Sequence, residues 1–326
     1  MSGQRPLQPP KLTQTNFGSW DGLERIRAAG LFLMLCLPAV APAQSNLSVD
    51  EIALDLLNPA TSLRTVAFDY EYQTYQGSLP EANDQNTYRM IFTPSWPIKL
   101  DNGKNLLLRA RIPINGDMPN WKPVFYLDWA EFLLRQLPEI DEDRGGFGDG
   151  HDHMGDISFD VGYGGVNDDG GIGMIGVSMV VPTSEDQSAR RNQYLLGPEV
   201  ALGRITDWGI YGIRAKHLTN VSGQGEQEVG DYDTNETTLR IFFAYSLGNG
   251  WQIESNPEIL YDWEGIDDNQ WNVPIGAGIS KTFMMGRIPV KAGIELQNYV
   301  VSTDRLAPEW MLRFSLVPVI PGRYLE

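Results

Sequence analysis

The stretch Trp271–Pro318, WNVPIGAGISKTFMMGRIPVKAGIELQNYVVSTDRLAPEWMLRFSLVP, predicts three short strands in series. In the middle strand the apolar residues occupy every second position: Ile288, Val290, Ala292, Ile294 and Leu296. Because successive side chains of a strand point to opposite faces, this strand has one apolar and one polar face. The last strand alternates in the same way, and no predicted helix follows that could cover its apolar side. Strands of about ten residues with this pattern and aromatic ends are typical of a transmembrane β-barrel.

The composition is compatible with one large barrel. The chain has 326 residues, 34 of them glycine, and after residue 43 no apolar run approaches the ~18 residues that a membrane-spanning helix needs. A helical membrane protein is therefore excluded. The formal net charge is −17, which argues against binding to nucleic acid.

The N-terminal part predicts a secretory leader. Arg25 and Arg27 precede the apolar residues 28–40, and Ala41-Pro42-Ala43 forms a cleavage site of the A-x-A type. Residues 1–43 are therefore expected to be removed, together with the only cysteine, Cys36. Without it the mature chain would have no disulfide, cysteine nucleophile or thiolate metal site.

The remaining chain divides into three parts. Residues 44–61 are expected to form a periplasmic anchor or a small plug, because Ser48 and Glu51 have the spacing of a capping box that opens a short helix. Residues 62–320 are expected to form the barrel, and residues 321–326 a tail. Twelve strands are predicted, at residues 63–75, 87–98, 106–114, 157–166, 172–181, 194–205, 208–218, 237–247, 251–261, 271–283, 288–301 and 310–319.

The connections between these strands alternate in length. Those after strands two, four, six, eight and ten are tight turns, with the sequences DNG, NDDGG, TD, GNG and MMGR, whereas the others are longer and polar. An even number of antiparallel strands with short turns at one rim and long loops at the other is the plan of an outer-membrane barrel. The predicted fold is thus an all-β antiparallel barrel of about 12 strands.

Aromatic residues are predicted to form two belts at the strand ends, at the level of the lipid headgroups. One belt lies at the short-turn rim and contains Trp96, Trp208 and Trp251. The belt at the opposite rim contains Tyr88, Tyr261, Trp271, Tyr299 and Trp310.

A long insertion follows the third strand. The apolar spacing from Val124 to Leu137 predicts an amphipathic helix of about 14 residues. The acidic run EIDEDRGGFGDGHDHMGD follows it as a loop, at residues 139–156. Because an apolar helix is rarely free in water, it is expected to constrict the barrel mouth or to lie on the membrane surface.

Several segments resemble a bacterial outer-membrane family named for the MetA pathway of phenol degradation. They are LLNPATSLRTVAFDYEYQ (56–73), GDISFDVGYGG (155–165), VVPTS (180–184), KHLTNVSG (216–223), WNVPIGAGISKTF (271–283) and RFSLVPVIP (313–321). The resemblance implies an outer-membrane transporter or channel, associated by name with aromatic or other small hydrophobic compounds. The expected partners are outer-membrane lipid and lipopolysaccharide, the barrel-assembly machinery and an unidentified small solute. No cofactor is expected.

The alternation also predicts which charged side chains point into the lumen. The candidates are Asp69, Glu71, Arg89, Arg109, Arg111, Asp160, Glu199, Arg214, Lys216, Arg240, Glu254, Glu258, Lys291, Glu295 and Arg313. One interpretation is a narrow channel whose selectivity these charges set. The alternative is a closed, structural barrel whose interior charges pair with each other, since charges in a dry interior need partners.

Two further interpretations depend on histidines. His217 and Ser222 could form the catalytic pair of an outer-membrane lipid hydrolase, but a nucleophile needs its base within ~3 Å and a third group to orient that base. His151 and His153 lie in the acidic run and are weak candidates for a divalent metal site. Neighbouring side chains of an extended chain point in opposite directions, so a solvated acidic loop is preferred over a metal site here. No enzymatic activity is predicted.

Overall fold

The computed structural model describes residues 47–116, 118–119, 121–126, 139–147, 152–184, 191–223, 225–227, 230–265 and 269–320. The predicted leader and the C-terminal tail lie outside these residues. Helix α1 covers Val49–Asp55, and a 3-10 helix covers Ala82–Asp84. The strands are β1 Thr65–Gln76, β2 Asn86–Lys99, β3 Asn105–Asn115, β4 Trp121–Tyr126, β5 Glu139–Phe147, β6 His153–Met154, β7 Ile157–Val166, β8 Gly171–Val181, β9 Gln193–Thr206, β10 Gly209–Gly223, β11 Gly225–Gln227, β12 Gly230–Tyr232, β13 Asn235–Gly248, β14 Trp251–Ser255, β15 Glu258–Asp262, β16 Trp271–Met285, β17 Ile288–Val301 and β18 Ala307–Pro318.

The sheet closes on itself, so the predicted barrel is confirmed. Each barrel strand pairs antiparallel with its neighbours in the order β1, β2, β3, β7, β8, β9, β10, β13, β14 with β15, β16, β17 and β18. Strand β18 then pairs with β1, for example through Phe314 opposite Tyr70. Counting β14 and β15 as one interrupted strand gives twelve. Closure leaves no strand edge unpaired in the membrane, where water is absent to satisfy backbone groups.

Strands β14 and β15 replace one strand that the sequence predicts as continuous. The break lies at Asn256 and Pro257, where proline has no amide hydrogen to donate to the neighbouring strand. The Pro257 carbonyl still accepts a hydrogen bond from the Ile241 amide (3.0 Å), whereas the Asn256 amide donates to the Glu295 carboxylate (2.8 Å). The break therefore turns one backbone amide towards the lumen.

The tight turns occur where the sequence predicts them and define one rim of the barrel. They connect β2 to β3, β7 to β8, β9 to β10, β13 to β14 and β16 to β17. Gly250 and Gly286 have φ values of 79° and 64° in two of these turns, a conformation that glycine adopts without steric cost. Thr65 and Val319 bridge at the same rim, so the barrel begins and ends there. In outer-membrane barrels the short turns face the periplasm.

The outer surface of the wall is apolar, and the large side chains exposed there include Ile175, Leu202 and Ile275. Trp96, Trp208, Trp251, Trp271 and Trp310 are also exposed at the strand ends. The Tyr88 ring stacks on outward-facing Tyr70, and the Tyr261 ring contacts the rings of Trp263 and Trp271. Among the described residues, no helix is long and apolar enough to cross a membrane.

Tyr299 is an exception, and its assignment to a lipid-facing belt is wrong. On β17 the alternate residues Leu296 and Val300 are exposed, whereas Glu295 and Gln297 are buried. Tyr299 shares the face of Glu295 and Gln297, which points into the lumen. It interacts there electrostatically with Glu71.

The prediction of a helix in the insertion is also wrong for its first residues, 124–126. Trp121–Tyr126 forms β4, which pairs antiparallel with β5, so that Val124 lies opposite Asp141. The aromatic and β-branched residues of this segment favour strands, and here that preference outweighs the helical spacing of its apolar residues. The acidic residues Glu139–Phe147 are in β5 and not in a loop. Residues 127–138 lie outside the described part of the chain.

Candidate functional site

The N-terminal segment, residues 47–61, lies inside the short-turn end of the barrel. Its helix α1 starts with the predicted capping box, in which Ser48 Oγ accepts from the Glu51 amide (3.2 Å) and the Glu51 carboxylate accepts from the Ser48 amide (2.7 Å). The Asp50 carboxylate accepts a hydrogen bond from the Gly250 amide in the β13–β14 turn (2.6 Å). The two predicted roles of this segment, anchor or plug, stay predictions.

One apolar cluster holds the N-terminal segment against the wall. Ala60 is buried in this cluster, and Leu54 and Leu57 pack against it. The wall contributes interior side chains from β3, β8, β9, β10 and β13: Leu107, Ile172, Met174, Ala201, Ile210, Phe242 and Ala244. Asn105 also donates its side-chain amide to the Ala60 carbonyl (3.1 Å). Apolar burial of this kind, at roughly 25 cal/mol per Å², keeps the segment in place.

Asp55 makes the docking of this segment sensitive to pH. Burial raises the pKa of Asp55, although the Asn58 amide and the Thr61 hydroxyl both donate to its carboxylate (2.9 Å each). A carboxyl whose pKa is raised by docking binds its proton more tightly in the docked state, so docking is penalised at neutral pH. The penalty is removed as pH falls through the raised pKa towards the ordinary value of 3.8.

We expect a nitroxide at exposed position 47 to become less mobile between pH 7 and pH 4 in Leu47→Cys protein, because docking tightens. The measurement is an electron paramagnetic resonance titration. In the matched variant that also carries Asp55→Asn, mobility should not change with pH. Equal pH dependence in both proteins would show that Asp55 does not control docking.

Above the N-terminal segment, the lumen contains a cavity of about 280 Å³. Residues Leu56 to Pro59 form part of its floor. Thirteen of the fifteen charged residues predicted to face the lumen line it: Asp69, Glu71, Arg109, Arg111, Asp160, Arg214, Lys216, Arg240, Glu254, Glu258, Lys291, Glu295 and Arg313. The other two, Arg89 and Glu199, are hydrogen-bonded to members of this set. The structure thus brings all fifteen together, while their contact with a solute stays a prediction.

Glu71 is the centre of the first group of ion pairs. Its carboxylate accepts from Arg89 Nε and from Arg313 Nε, each at 2.9 Å. Arg313 also donates to Glu295 (3.0 Å), and Gln297 donates to the same carboxylate (2.9 Å). The Glu71 side chain is only 1% exposed, so two guanidinium groups compensate for its loss of hydration.

Arg214 is the centre of the second group. It donates to Glu199 (2.6 Å) and to Asp160 (2.6 Å). Ser178 donates its hydroxyl to a carboxylate oxygen of either acid, at 2.7 Å for Asp160 and 2.8 Å for Glu199. Arg109 approaches Asp160 more loosely, at 3.7 Å. These contacts fix one side of the cavity wall.

The remaining lumen charges are arranged differently. Arg240 pairs with Glu258, and Lys291 donates to Glu254 (2.5 Å). The Asp69 carboxylate accepts from the Ser315 hydroxyl (2.6 Å). Arg111 and Lys216 line the cavity but have no ion-pair partner within 4 Å among the described residues. The cavity wall therefore presents two cationic groups that are not neutralised by direct contact.

The sequence-derived list omits uncharged polar groups that also take part. Ser178, Asn256 and Gln297 connect the charged side chains, and Tyr299 lies beside Glu71. Ser178, Gln297 and Tyr299 share a strand face with a charged lumen residue, so the period of two was a sufficient signal. The list was restricted to charges, and for that reason it missed them.

The described histidines, His217 and His153, contact neutral side chains. His217 Nδ1 lies 2.9 Å from Thr237 Oγ1, which also accepts from Trp263 Nε1 (2.9 Å). Ser222 lies five residues further along the same strand and is exposed. His153 Nε2 lies 3.4 Å from the Asn115 side-chain amide, and His151 is outside the described residues. Where the structure describes side chains, no group of three or more His, Cys, Asp or Glu residues has a geometry suited to a metal ion.

Comparison with solved structures agrees with this architecture. The COG4313 outer membrane channel from Pseudomonas putida F1 is 10% identical, and the match covers 86% of this chain and 99% of that one with a TM-score of 0.57. The NanC porin is 12% identical over 78% of this chain and 100% of that one, at a TM-score of 0.44. No family model and no curated protein matches the chain. The first likeness shows the fold, an outer-membrane β-barrel, whereas the resemblance to the phenol-degradation family is not confirmed.

Proposed function

We propose that this protein is a narrow outer-membrane channel for small, polar or charged solutes. The observation that carries the proposal is the exposure of charged groups inside a closed wall. The side chains of Arg240 and Glu258 both face the lumen, yet they are 37% and 38% exposed. Arg111 and Lys216 lack ion-pair partners among the described residues. Charges in a dry interior need partners, so these groups indicate a hydrated lumen.

The charged wall also bears on the class of solute. The fifteen lumen charges comprise eight basic and seven acidic residues, and the two cations without direct partners favour anions at this depth of the lumen. The resemblance to the phenol-degradation family would add aromatic or hydrophobic compounds. A neutral hydrophobic molecule gains little from a wall of charges, whereas a small aromatic acid would suit both. We propose small organic anions as the first solutes to test.

The second candidate function is a structural barrel without transport. It is favoured by the ion pairs around Glu71 and Arg214, which neutralise most of the interior, and by the N-terminal segment at the periplasmic end. In either case we propose that lipid and lipopolysaccharide surround the apolar wall and that the barrel-assembly machinery inserts it.

Electrical recording distinguishes the two candidates and tests the assigned wall. In planar bilayers the wild-type protein should give small, discrete conductance steps with a preference for anions. Replacing Arg111→Gln and Lys216→Gln together should shift the reversal potential towards cations, since this removes two positive charges from the cavity.

The matched control is Arg204→Gln, because Arg204 lies near the short-turn rim in an exposed ion pair with Asp169 and outside the cavity lining. Its selectivity should equal that of the wild type. A correctly folded wild-type protein that remains electrically silent, and that also fails to let small anions into liposomes, would leave the structural barrel as the function.

A further inference from the structure

The lumen charges are not balanced evenly around the cavity. Three cationic side chains, on β3, β10 and β13, share one carboxylate on β15, and we call these four residues the cation-rich group: Arg111, Lys216, Arg240 and Glu258. Arg240 pairs directly with Glu258. Arg111 and Lys216 interact with that carboxylate only at longer range, since no ion pair within 4 Å is described for either. This group therefore has an excess of positive charge.

The opposite imbalance occurs around Glu71. What we call the acid-rich group contains three acids and two bases: Asp69, Glu71, Glu295, Arg89 and Arg313. Both bases hydrogen-bond to Glu71 or Glu295. Asp69 instead accepts from the neutral hydroxyl of Ser315 (2.6 Å), and Arg313 acts on it only at longer range. Within the described part of the chain, Asp69 is thus a carboxylate without a direct cationic partner.

Both groups face the same cavity. Asp69, Arg111 and Lys216 line it, and each is half-buried and not closed to water. Arg111 interacts electrostatically with Glu258 and also with Glu71, so the two groups are neighbours in the lumen. Asp69 precedes Glu71 by two residues on β1, a distance of about 7 Å along the strand. An uncompensated negative charge and two uncompensated positive charges therefore lie around one small cavity.

Charges that only hold the wall together are expected to pair, as Arg214 does with Asp160 and Glu199. Arg111 and Lys216 instead repel each other. Asp160 also attracts Lys216, but it is already bonded to Arg214. A solute carboxylate would relieve the repulsion between the two cations, and a solute ammonium group would neutralise the free carboxylate. A molecule that carries both groups adds no net charge to the lumen.

We propose that the cavity is a two-ended site for small zwitterions of the amino acid type. The solute carboxylate binds between Arg111 and Lys216, and the solute ammonium group binds Asp69. Arginine presents a planar fork of donors that matches a carboxylate, while lysine adds a mobile point charge. This inference rests on the proposed channel function and narrows its solutes from small organic anions to those that also carry a positive charge.

Block of the ion current by matched solutes tests the two ends separately. The solutes are ω-amino acids, from glycine to 6-aminohexanoate, each compared at pH 7 with the unsubstituted carboxylate and with the alkylammonium ion of the same chain length. In planar bilayers the best amino acid should block the wild-type current at a concentration at least about tenfold lower than either matched ion. Such a factor corresponds to one added charge-assisted contact.

Asp69→Asn should abolish the preference for the amino acid without weakening block by the carboxylate, because asparagine still accepts from Ser315 and only the charge is lost. Lys216→Gln should weaken block by both solutes. Asp169→Asn is the matched control, since it removes a carboxylate outside the cavity lining and should keep the preference. Heat-modifiable mobility on gels checks that each variant is folded.

Two results would overturn the two-ended site and leave the channel proposal standing. One is a conducting wild-type protein in which no amino acid blocks better than its matched carboxylate. The other is a preference for the amino acid that survives Asp69→Asn. A correctly folded wild-type protein that neither conducts nor admits any of these solutes into liposomes would contradict the channel proposal itself, and the two-ended site with it.

Discussion

Deletion of residues 47–61 is expected to raise the single-channel conductance severalfold, the largest functional change that the structure suggests. These residues occupy the short-turn end of the lumen and form part of the floor of the 280 Å³ cavity. A barrel of twelve strands is wider than the eight-stranded barrels whose interior side chains fill completely, so an aqueous bore should remain once the segment is removed. Planar bilayers give the conductance, and liposome swelling gives the size of the admitted solutes.

The control for this deletion is the integrity of the barrel. Closure depends on the pairing of β1 with β18, to which the N-terminal segment contributes no strand, so heat-modifiable mobility on gels should be retained. Ala60→Asp is a milder variant, since it places a charge in the apolar cluster and should undock the segment without shortening the chain. Unchanged conductance in both variants would show that the segment does not limit passage.

The barrel was predictable from sequence because one physical constraint acts at every position. In a wall that separates lipid from lumen, apolar and polar side chains alternate along each strand. This alternation alone places Lys291, Glu295 and Arg313 on the lumen face. The turns could be predicted as well, because hairpin loops of two to five residues favour glycine, as at position 250.

Tyr299 shows where two signals compete. It follows Glu295 by four residues, and the period of two therefore places it in the lumen. Its position near a strand end suggested the aromatic belt instead. The period is the stronger constraint, because a slip of one position would turn every side chain of β17 to the wrong face.

Other features depend on contacts between distant parts of the chain, which local patterns do not specify. Glu71 and Arg313 are hydrogen-bonded across the closure of β1 on β18, and Asp50 accepts from Gly250 across the lumen end. In the insertion, the spacing from Val124 favoured a helix, but pairing of β4 with β5 overrode it.

Glu71→Ala is expected to cause the largest loss of stability, about 3–5 kcal/mol in the free energy of unfolding, because it leaves buried guanidinium groups without their shared carboxylate. Arg313 would retain Glu295 at 3.0 Å, whereas Arg89 would lose the only ion-pair partner that the structure describes for it. Unfolding in urea, followed by heat-modifiable mobility in lipid vesicles, gives the free energy. The matched control is Asp169→Ala, which removes the partner of Arg204 on the surface and should cost about 0–1 kcal/mol.

The size of this loss depends on the local burial of Glu71. The Glu71 and Asp169 side chains are 1% and 68% exposed, so a large difference between the two variants is expected even if the rest of the lumen is hydrated. The double variant Glu71→Leu with Arg89→Leu should recover much of the loss, since it removes the pair and leaves Arg313 with Glu295. If Glu71→Ala instead costs as little as Asp169→Ala, water must reach and screen the Arg89 guanidinium. That outcome would contradict the stability prediction, and it would show that the water expected around the exposed Arg240 and Glu258 pair extends to the Glu71 group as well.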